Sequence, residues 1–267
     1  MDRYQLKPGS KVRLSEWDPK DHAAFSGDKT AGLEELQSLD QRLAELQSIL
    51  YAQQKHKLLV ILQAMDTAGK DGVIKRVFNS VNPQGVGVTS FKAPTPLELA
   101  HDYLWRAHAQ VPCKGEIGIF NRSYYEDVLV VRVHQLVPEK VWHRRYGHIR
   151  DFERMLVDEG TTILKIYLHI DQDEQKKRLQ ERLDTPSKRW KFNPDDLSER
   201  KLWKQYMEAY EEALTETSTD YAPWHILPSN REWYRNLMAA RLIVEALDSL
   251  KLAYPEPPPG VEKVVIE

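Results

Sequence analysis

The sequence has 267 residues, of which 41% are hydrophobic and 29% charged, with a formal net charge of −2. This balance is ordinary for a soluble globular protein and provides no general positive field, so neither nucleic acid nor a membrane is expected as a partner. The longest apolar runs are too short to span a bilayer, and the first ten residues lack the apolar core of a secretory signal. A single cysteine, Cys113, excludes an internal disulfide and a cysteine metal cluster. We therefore expect a cytoplasmic protein.

The first part of the chain predicts an arm followed by a helix. Residues 1–30 contain scattered proline and glycine and predict an irregular N-terminal arm. From Leu33 to Leu50, leucines recur every three or four residues, which predicts an amphipathic helix. Such a helix packs on the domain core or pairs with a second subunit, and both alternatives stay open. A homo-oligomer is expected, although the helix does not require one.

Short β-rich runs then alternate with helical patterns. The predicted strands are residues 58–63, 86–91, 116–120, 162–170 and 224–227. Helices are predicted to begin at Lys70, Pro96, His143, Asp173 and Asp195, and a last one to cover residues 230–252. The alternation predicts one three-layer α/β domain over residues 31–252, with a mostly parallel sheet covered on both faces. The proline-rich tail, residues 253–267, is predicted to lie on the surface.

The stretch AMDTAGKD at residues 64–71 has the features of a phosphate-binding loop. It follows an apolar strand and begins a helix, so free backbone N–H groups and the positive end of the helix dipole would face an anion. Gly69 would let the backbone approach phosphate, and Lys70 supplies the cation. Ala68, next to Gly69, is also expected to bind phosphate. The usual motif is G-x-x-x-x-G-K-[ST], whereas Ala64 replaces its first glycine and Asp71 its hydroxyl residue.

Carboxylates at two positions predict a metal site beside this loop. Asp66 would repel phosphate unless a metal lay between them, so we interpret it as a Mg²⁺ ligand. The predicted strand 116–120 is followed by Asn121, Arg122, Glu126 and Asp127, which should emerge at the same edge of the sheet. Asp127 is the second predicted metal ligand, with Glu126 as the other candidate, and Arg122 is predicted to clamp phosphoryl oxygens. An ordinary surface turn with capping acids is the alternative.

A basic segment follows the fourth predicted strand. Seven of the eighteen residues from 174 to 191 are basic and three are acidic. Arg178 and Arg182 are four residues apart and share a helix face. The position in the chain predicts a helical lid over residues 173–194 that closes on the transferred phosphate and excludes water, the alternative being a solvated charged face. Lid residues predicted to contact substrate, with the tryptophan stacking on a base, are Arg178, Arg182, Lys188, Arg189, Trp190 and Lys191.

Four stretches in this order resemble the second family of polyphosphate kinases: AMDTAGKDG, FNRSYYEDVLVVRV, RLQERLDTPSKRWKF and TSTDYAPWHILPSN. The resemblance covers residues 33–250 and includes the A-x-D-x-x-G-K-D form of the loop. It implies a P-loop-kinase-like fold and magnesium-dependent phosphoryl transfer between inorganic polyphosphate and adenine nucleotides. The chain is most similar to members that accept both AMP and ADP.

The resemblance also implies roles for individual residues. The expected catalytic residues are Asp66, Lys70, Arg122, Asp127 and Arg178, with Asp66 and Asp127 holding Mg²⁺. Two alternatives remain: an NTP-dependent kinase of nucleotides or small molecules, and a regulatory module that binds polyphosphate or nucleotide without turnover. A pure binding module has no need of paired metal carboxylates, so these residues favour an enzyme.

Overall fold

A five-stranded sheet forms the centre of the protein in the computed structural model, which describes residues 2–266. Its strands are β1 (Lys57–Ala64), β2 (Val86–Ser90), β3 (Ile117–Asn121), β4 (Thr161–His169) and β5 (Trp224–Pro228). Their spatial order is β2-β3-β1-β4-β5, and all four pairings are parallel. Every predicted strand boundary agrees with the structure to within one residue, and the predicted parallel α/β fold is confirmed.

Helices connect the strands and cover both faces. In residues 2–266 the helices are α1 (Lys29–Gln53), α2 (Lys70–Val77), α3 (Pro96–Leu99), α4 (Trp105–His108), α5 (Val130–Val133), α6 (Glu139–Asp158), α7 (Gln172–Asp184), α8 (Asp195–Lys201), α9 (Trp203–Thr217) and α10 (Glu232–Ser249). None of the helices in this part of the chain combines the length and the apolar composition needed to cross a membrane.

Two predicted helices have different boundaries in the structure, α6 and α10. Helix α6 begins at Glu139 instead of His143, because Pro138 occupies its N-cap position and ends the preceding segment. The helix predicted to begin at Asp195 does begin there, as α8, and a second helix, α9, follows after Leu202. The last helix covers Glu232–Ser249, which is shorter at both ends than the predicted 230–252.

Alternate residues of the central strand point to opposite faces of the sheet, as the strand period requires. Leu58, Val60 and Leu62 belong to one hydrophobic core with α1, α2 and α10. Leu59 and Ile61 belong to a second core with α6 and α9. Both faces of β1 are therefore buried, which explains its continuous apolar run. Because β1 is the middle strand, its carboxyl end lies at the middle of the sheet edge.

The leucine face of α1 packs within its own chain. Asp28 caps the helix by accepting a 2.9 Å hydrogen bond from the Ala31 N–H group. Leu36, Leu43 and Leu50 are buried in the core that contains α10. The leucine pattern is thus explained by packing inside the chain, and a homo-oligomer stays a prediction.

The N-terminal segment is more ordered than the predicted irregular arm of residues 1–30. Leu6 and Val12 are buried in the second core. Gln5 forms an antiparallel bridge with His225 of β5. The segment therefore covers the outer edge of β5, which would otherwise present unpaired backbone groups. Met1 lies outside the described residues.

The C-terminal segment lies on the surface. Val265 and Ile266 are almost fully exposed, and Glu267 lies outside the described residues. The division of the chain into an arm, a catalytic domain of residues 31–252 and a tail of residues 253–267 stays a prediction.

Candidate active site

The loop between β1 and α2 has the geometry of a phosphate-binding loop. Helix α2 begins at Lys70, as predicted, and Gly69 directly before it has a φ of 109°. This left-handed conformation favours glycine, since a side chain there would be strained. The first N–H groups of α2 therefore point to the edge of the sheet at which β1 ends, together with the positive end of the helix dipole.

Lys70 is buried at the base of the loop. Its Nζ donates a 3.1 Å hydrogen bond to the carbonyl oxygen of Ala64, the last residue of β1. Burial and the neighbouring positive charge of Arg122 lower the pKa of Lys70 to about 8, against three nearby carboxylates that oppose the shift. Lys70 therefore carries a positive charge near neutral pH and has lost most of its hydration, which favours a strong contact with phosphate.

Arg122 connects the turn after β3 to the loop. Its φ of 62° is unusual for a residue with a side chain and marks local backbone strain of the kind found at functional sites. Its guanidinium group contacts the carboxylate of Asp66, and Nη1 lies 3.5 Å from Oε2 of Glu126. The charges of Glu126 and Asp66 raise the pKa of Arg122. A permanent cation is thus held beside the loop, where the sequence predicts a phosphoryl clamp.

Asn121 and Asp71 join the end of β3 to the start of α2. The Asn121 Nδ2 donates a 2.7 Å hydrogen bond to Oδ1 of Asp71. Asp71 takes the place of the hydroxyl residue of the usual motif, and its carboxylate accepts this bond. Both residues line the cavity described below.

Arg178 of α7, within the predicted lid, holds the loop in place through hydrogen bonds. Its Nη1 donates to the carbonyl oxygens of Thr67 and Ala68, at 3.0 and 3.1 Å. Its Nη2 donates to the carbonyl oxygen of Ser229, at 2.6 Å, and its Nε to Glu174, at 2.8 Å. The side chain lines the cavity but is only 10% exposed, so it fixes the loop as well as adding charge.

The predicted lid, residues 173–194, consists of most of α7 and a short 3-10 helix (Pro186–Lys191), and α8 follows it. Arg182 pairs with Asp196 at 3.2 Å, which ties α7 to α8. Trp190 is 78% exposed and lines the cavity. Its neighbour Lys191 places Nζ 5.2 Å from the centre of the indole ring.

The loop and the lid enclose a cavity of about 680 Å³. Among the described residues, seven basic and four acidic side chains line it, although the whole chain carries a net charge of −2. The basic residues are Lys70, Lys92, Arg122, Arg178, Arg182, Lys188 and Lys191. A local excess of positive charge at the end of a parallel sheet suits a phosphate-rich ligand.

Four predicted residues lie outside the lining of this cavity: Ala68, Glu126, Asp127 and Arg189. Asp127 accepts a 3.1 Å hydrogen bond from Arg145, and its other oxygen lies 3.9 Å from Nη2 of Arg106. Burial raises the pKa of Asp127 to about 6, against the opposing effect of these two arginines. The structure therefore does not bring Asp127 into the cavity with Asp66. Arg189 instead donates from its Nε to the carbonyl oxygen of Leu183.

Sequence reasoning missed cavity residues on β2 and α10. Ser90, Phe91 and Lys92 line the cavity at the carboxyl end of β2. The rule that ligands bind beyond the carboxyl ends of parallel strands would have identified them. Glu232 also lines the cavity, and the nearby Arg235 contacts the loop from below. No local sequence signal points to these two residues, because only the fold brings α10 to the loop.

The oxygen donors at the loop fit a divalent cation that arrives with phosphate. Within residues 2–266, no group of three or more His, Cys, Asp or Glu side chains could hold a metal by itself. Mg²⁺ is usually bound through one or two carboxylates together with waters and substrate phosphates. Asp66 lines the cavity with 27% of its side chain exposed, so its carboxylate can supply such a ligand.

The parallel sheet, the loop at the end of its central strand and the cationic cavity define a P-loop-kinase-like α/β protein. A family model described as polyphosphate kinase 2 (PPK2) matches residues 26–255. The chain belongs to the polyphosphate kinase 2 family, and the resemblance found in the sequence is confirmed.

Individual relatives agree with this assignment over nearly the whole chain. The AMP/ADP-polyphosphate phosphotransferase of Meiothermus ruber is 59% identical over 267 residues, which is 100% of both chains. The ADP-polyphosphate phosphotransferase of Rhodopseudomonas palustris is 44% identical over 277 aligned positions, covering 99% of this chain and 96% of that protein. The crystal structure of polyphosphate kinase 2 from Arthrobacter aurescens has a TM-score of 0.95 and 46% identity, covering 98% of this chain and 93% of that one.

Proposed function

We propose that this enzyme transfers phosphoryl groups reversibly between inorganic polyphosphate and adenine nucleotides, with both ADP and AMP as acceptors and with Mg²⁺. The observation that carries the proposal is the convergence of seven basic side chains on one cavity beside a phosphate-binding loop. The relative named for both AMP and ADP is 59% identical, whereas the relative named for ADP is 44% identical. This difference supports the use of both acceptors.

The geometry suits a reaction that depends on positioning and charge neutralisation. A phosphoryl group in transfer spreads negative charge over its oxygens, so fixed cations stabilise it more than they stabilise the ground state. Lys70 and the N-terminus of α2 would bind the terminal phosphates of the donor, and Arg122 the group in transfer. The phosphate of the acceptor is already ionised near neutral pH, so no strong base is needed. Bound Mg²⁺ would add neutralisation of the phosphate oxygens, with Asp66 among its ligands.

The lid residues divide between the two substrates in this proposal. Arg182, Lys188 and Lys191 line the cavity as part of the lid and would follow the polyphosphate chain. The exposed indole of Trp190 would stack on the adenine, since every base offers a π-face to an aromatic ring. Closing the lid would exclude water, which otherwise competes with the nucleotide as acceptor.

The donor and the acceptor are tested by separating nucleotides chromatographically after incubation with Mg²⁺. We expect ADP and then ATP from AMP with polyphosphate, and ATP from ADP with polyphosphate. An NTP-dependent kinase would instead consume ATP with a small acceptor and leave polyphosphate intact. A regulatory module would bind both ligands and form no product. Either result would contradict the proposal.

The metal ligands are tested by titrating Mg²⁺ against activity in Asp66→Asn and Asp127→Asn. We expect Asp66→Asn to need at least about tenfold more Mg²⁺ for half-maximal rate, since it loses a carboxylate ligand. The predicted metal role of Asp127 requires the same shift in Asp127→Asn. A normal Mg²⁺ requirement with lowered stability would assign Asp127 to its pairing with Arg145 and Arg106 alone. The cytoplasmic location and the homo-oligomer stay predictions from the sequence.

A further inference from the structure

Arg235 of α10 lies directly beneath the phosphate-binding loop. It is only 1% exposed, and its Nη1 donates a 3.0 Å hydrogen bond to the carbonyl oxygen of Ala68. A Cβ atom at Gly69 would lie 1.9 Å from this Nη1, and one at Gly72 would lie 2.9 Å from Nη2. The guanidinium group therefore occupies the space below both glycines. Since Gly69 and Gly72 line the cavity, only the loop backbone separates the charge of Arg235 from a bound phosphate.

Arg235 lacks the acidic partner that Lys165 and Arg241 have. Among the described residues, no carboxylate lies within ion-pair distance of Arg235, and its other hydrogen bonds go to the neutral amide of Asn236. By contrast, the fully buried Lys165 pairs with Glu153 at 2.6 Å, and Arg241 on the same helix α10 pairs with Glu35 at 2.6 Å.

A buried cation of this kind is costly to the free protein. Burial and the nearby charge of Arg178 lower the pKa of Arg235 to about 10, with Glu232 opposing the shift, so the group stays charged at neutral pH. Burying a charge without an acidic partner costs folding free energy unless some other group compensates it. A polyanion on the far side of the loop would provide that compensation at short range and in a medium of low dielectric constant.

We propose that Arg235 is a positioning residue of the polyphosphate site: it holds the loop through the carbonyl of Ala68, and its charge is balanced only when phosphate is bound. The inference rests on the proposed function, because it takes polyphosphate as the anion. The competing interpretation is that Arg235 only fills space and bonds the loop, so that its role is the same with and without ligand.

The two interpretations differ in how substitution changes the response to ligand. The variants are Arg235→Gln, which removes the charge, Arg235→Lys, which keeps it, and Arg241→Gln as a matched control on the same helix. The measurement is Tm with and without tripolyphosphate, at fixed Mg²⁺ and protein concentration, since a ligand that binds the folded state raises Tm. The quantity that decides is the increase in Tm caused by tripolyphosphate, not Tm itself.

We expect Arg235→Gln to lose most of this increase, while Arg235→Lys keeps the larger part of it. Arg241→Gln should have a lower Tm without ligand, because it breaks an ion pair, but the full increase with tripolyphosphate. In steady-state kinetics, KM for polyphosphate should rise by at least about tenfold in Arg235→Gln, and KM for ADP should stay within about twofold of the wild-type value.

A normal Tm increase and a normal KM for polyphosphate in Arg235→Gln would overturn the inference and leave Arg235 a structural residue. If Arg235→Gln does not fold, Arg235→Lys decides between the interpretations. Loss of the Tm increase in Arg235→Lys would show that the charge at this position does not contribute to ligand binding, and would overturn the inference. Failure of the proposed function looks different, because wild type itself would then neither make ATP from polyphosphate nor respond to tripolyphosphate.

Discussion

Individual residues at the loop combine burial with charge. Burial and the charge of Arg122 lower the pKa of Lys70 to about 8, although three nearby carboxylates oppose the shift. The positions of Gly69 and Gly72 have no room for a side chain, because the guanidinium group of Arg235 lies against them. The charge at the loop therefore depends on Lys70, and the packing depends on the contact of Gly69 and Gly72 with Arg235. Single substitutions at these positions should separate the effect of charge from the effect of packing.

The charge of Lys70 predicts a pH dependence. As pH rises above about 8 the free enzyme loses this charge, so kcat/KM for polyphosphate should fall. The pKa of Lys70 is lower in the folded than in the unfolded state, so the unfolded chain binds more protons between pH 8 and about 10. Stability should therefore rise with pH in that window as far as Lys70 is concerned, and the loss of activity is not due to unfolding.

The measurement is the pH profile of kcat/KM for wild type, Lys70→Arg and Lys70→Ala. Arginine keeps its charge, so Lys70→Arg should lack the fall above pH 8 whatever its absolute rate. Lys70→Ala should lose about 3 kcal/mol of transition-state stabilisation, which is more than a hundredfold in rate, by analogy with loss of one oxyanion donor. Near-normal turnover by Lys70→Ala would contradict the loop assignment.

The contact between Gly72 and Arg235 predicts non-additive substitutions. In an ordinary helix, Gly→Ala stabilises by about 1 kcal/mol. In wild type, Gly72→Ala should destabilise instead, because its Cβ would lie 2.9 Å from Nη2 of Arg235. In an Arg235→Gln background the same substitution should become neutral or stabilising. Urea denaturation of the four proteins measures the coupling, and additive free energies would show that the two residues do not interact.

At the scale of elements, a buried polar network fixes the turn that follows β3. Lys165 of β4 donates to Glu153 of α6 at 2.6 Å, and both side chains are fully buried. Glu153 also accepts hydrogen bonds from the hydroxyl groups of Tyr124 and Tyr125, at 2.9 and 2.7 Å. The two tyrosines follow Arg122 in the chain, so this network joins the sheet and α6 to the segment that carries the predicted phosphoryl clamp.

Glu153→Gln should therefore destabilise the protein by about 3–5 kcal/mol, because it leaves the charge of Lys165 buried and unpaired. The double variant Glu153→Gln/Lys165→Met should lose less free energy of unfolding than Glu153→Gln alone, because no unpaired charge then remains buried. Chemical denaturation gives both values. A loss below about 1 kcal/mol for Glu153→Gln would mean that the pair is not needed to hold these elements together.

Strands with a clear hydrophobic pattern could be predicted from the sequence. Features that depend on contacts between distant parts of the chain could not. The strands β1 to β5 were located to within one residue, because both faces of the inner strands are buried and turn residues bound them. The predicted start of α6 at His143 is wrong because Pro138 sets the boundary four residues earlier. Lys70, Asn121 and Arg122 reach the cavity because each follows the end of a parallel strand. Four of the five predicted lid cations also reach it, and Arg189 does not. Asp127 does not, since two arginines from other elements hold it.

On the scale of the whole molecule, charge is distributed unevenly. The chain is slightly acidic, yet basic side chains exceed acidic ones in the cavity at the end of the sheet. Four of the seven basic side chains come from the lid, and the others come from the loop, from the segment after β2 and from the segment after β3. Because the field of a cleft with low-dielectric walls is focused, such an excess can attract a polyanion without making the protein basic.

The most direct test of the proposed function is the initial rate of ATP formation from ADP, Mg²⁺ and polyphosphate, with wild type and Lys70→Ala side by side. We expect wild type to form ATP only when polyphosphate is present, and Lys70→Ala to do so more than about a hundredfold more slowly. No ATP from wild type, or equal rates for both proteins, would contradict polyphosphate-dependent phosphoryl transfer at this loop.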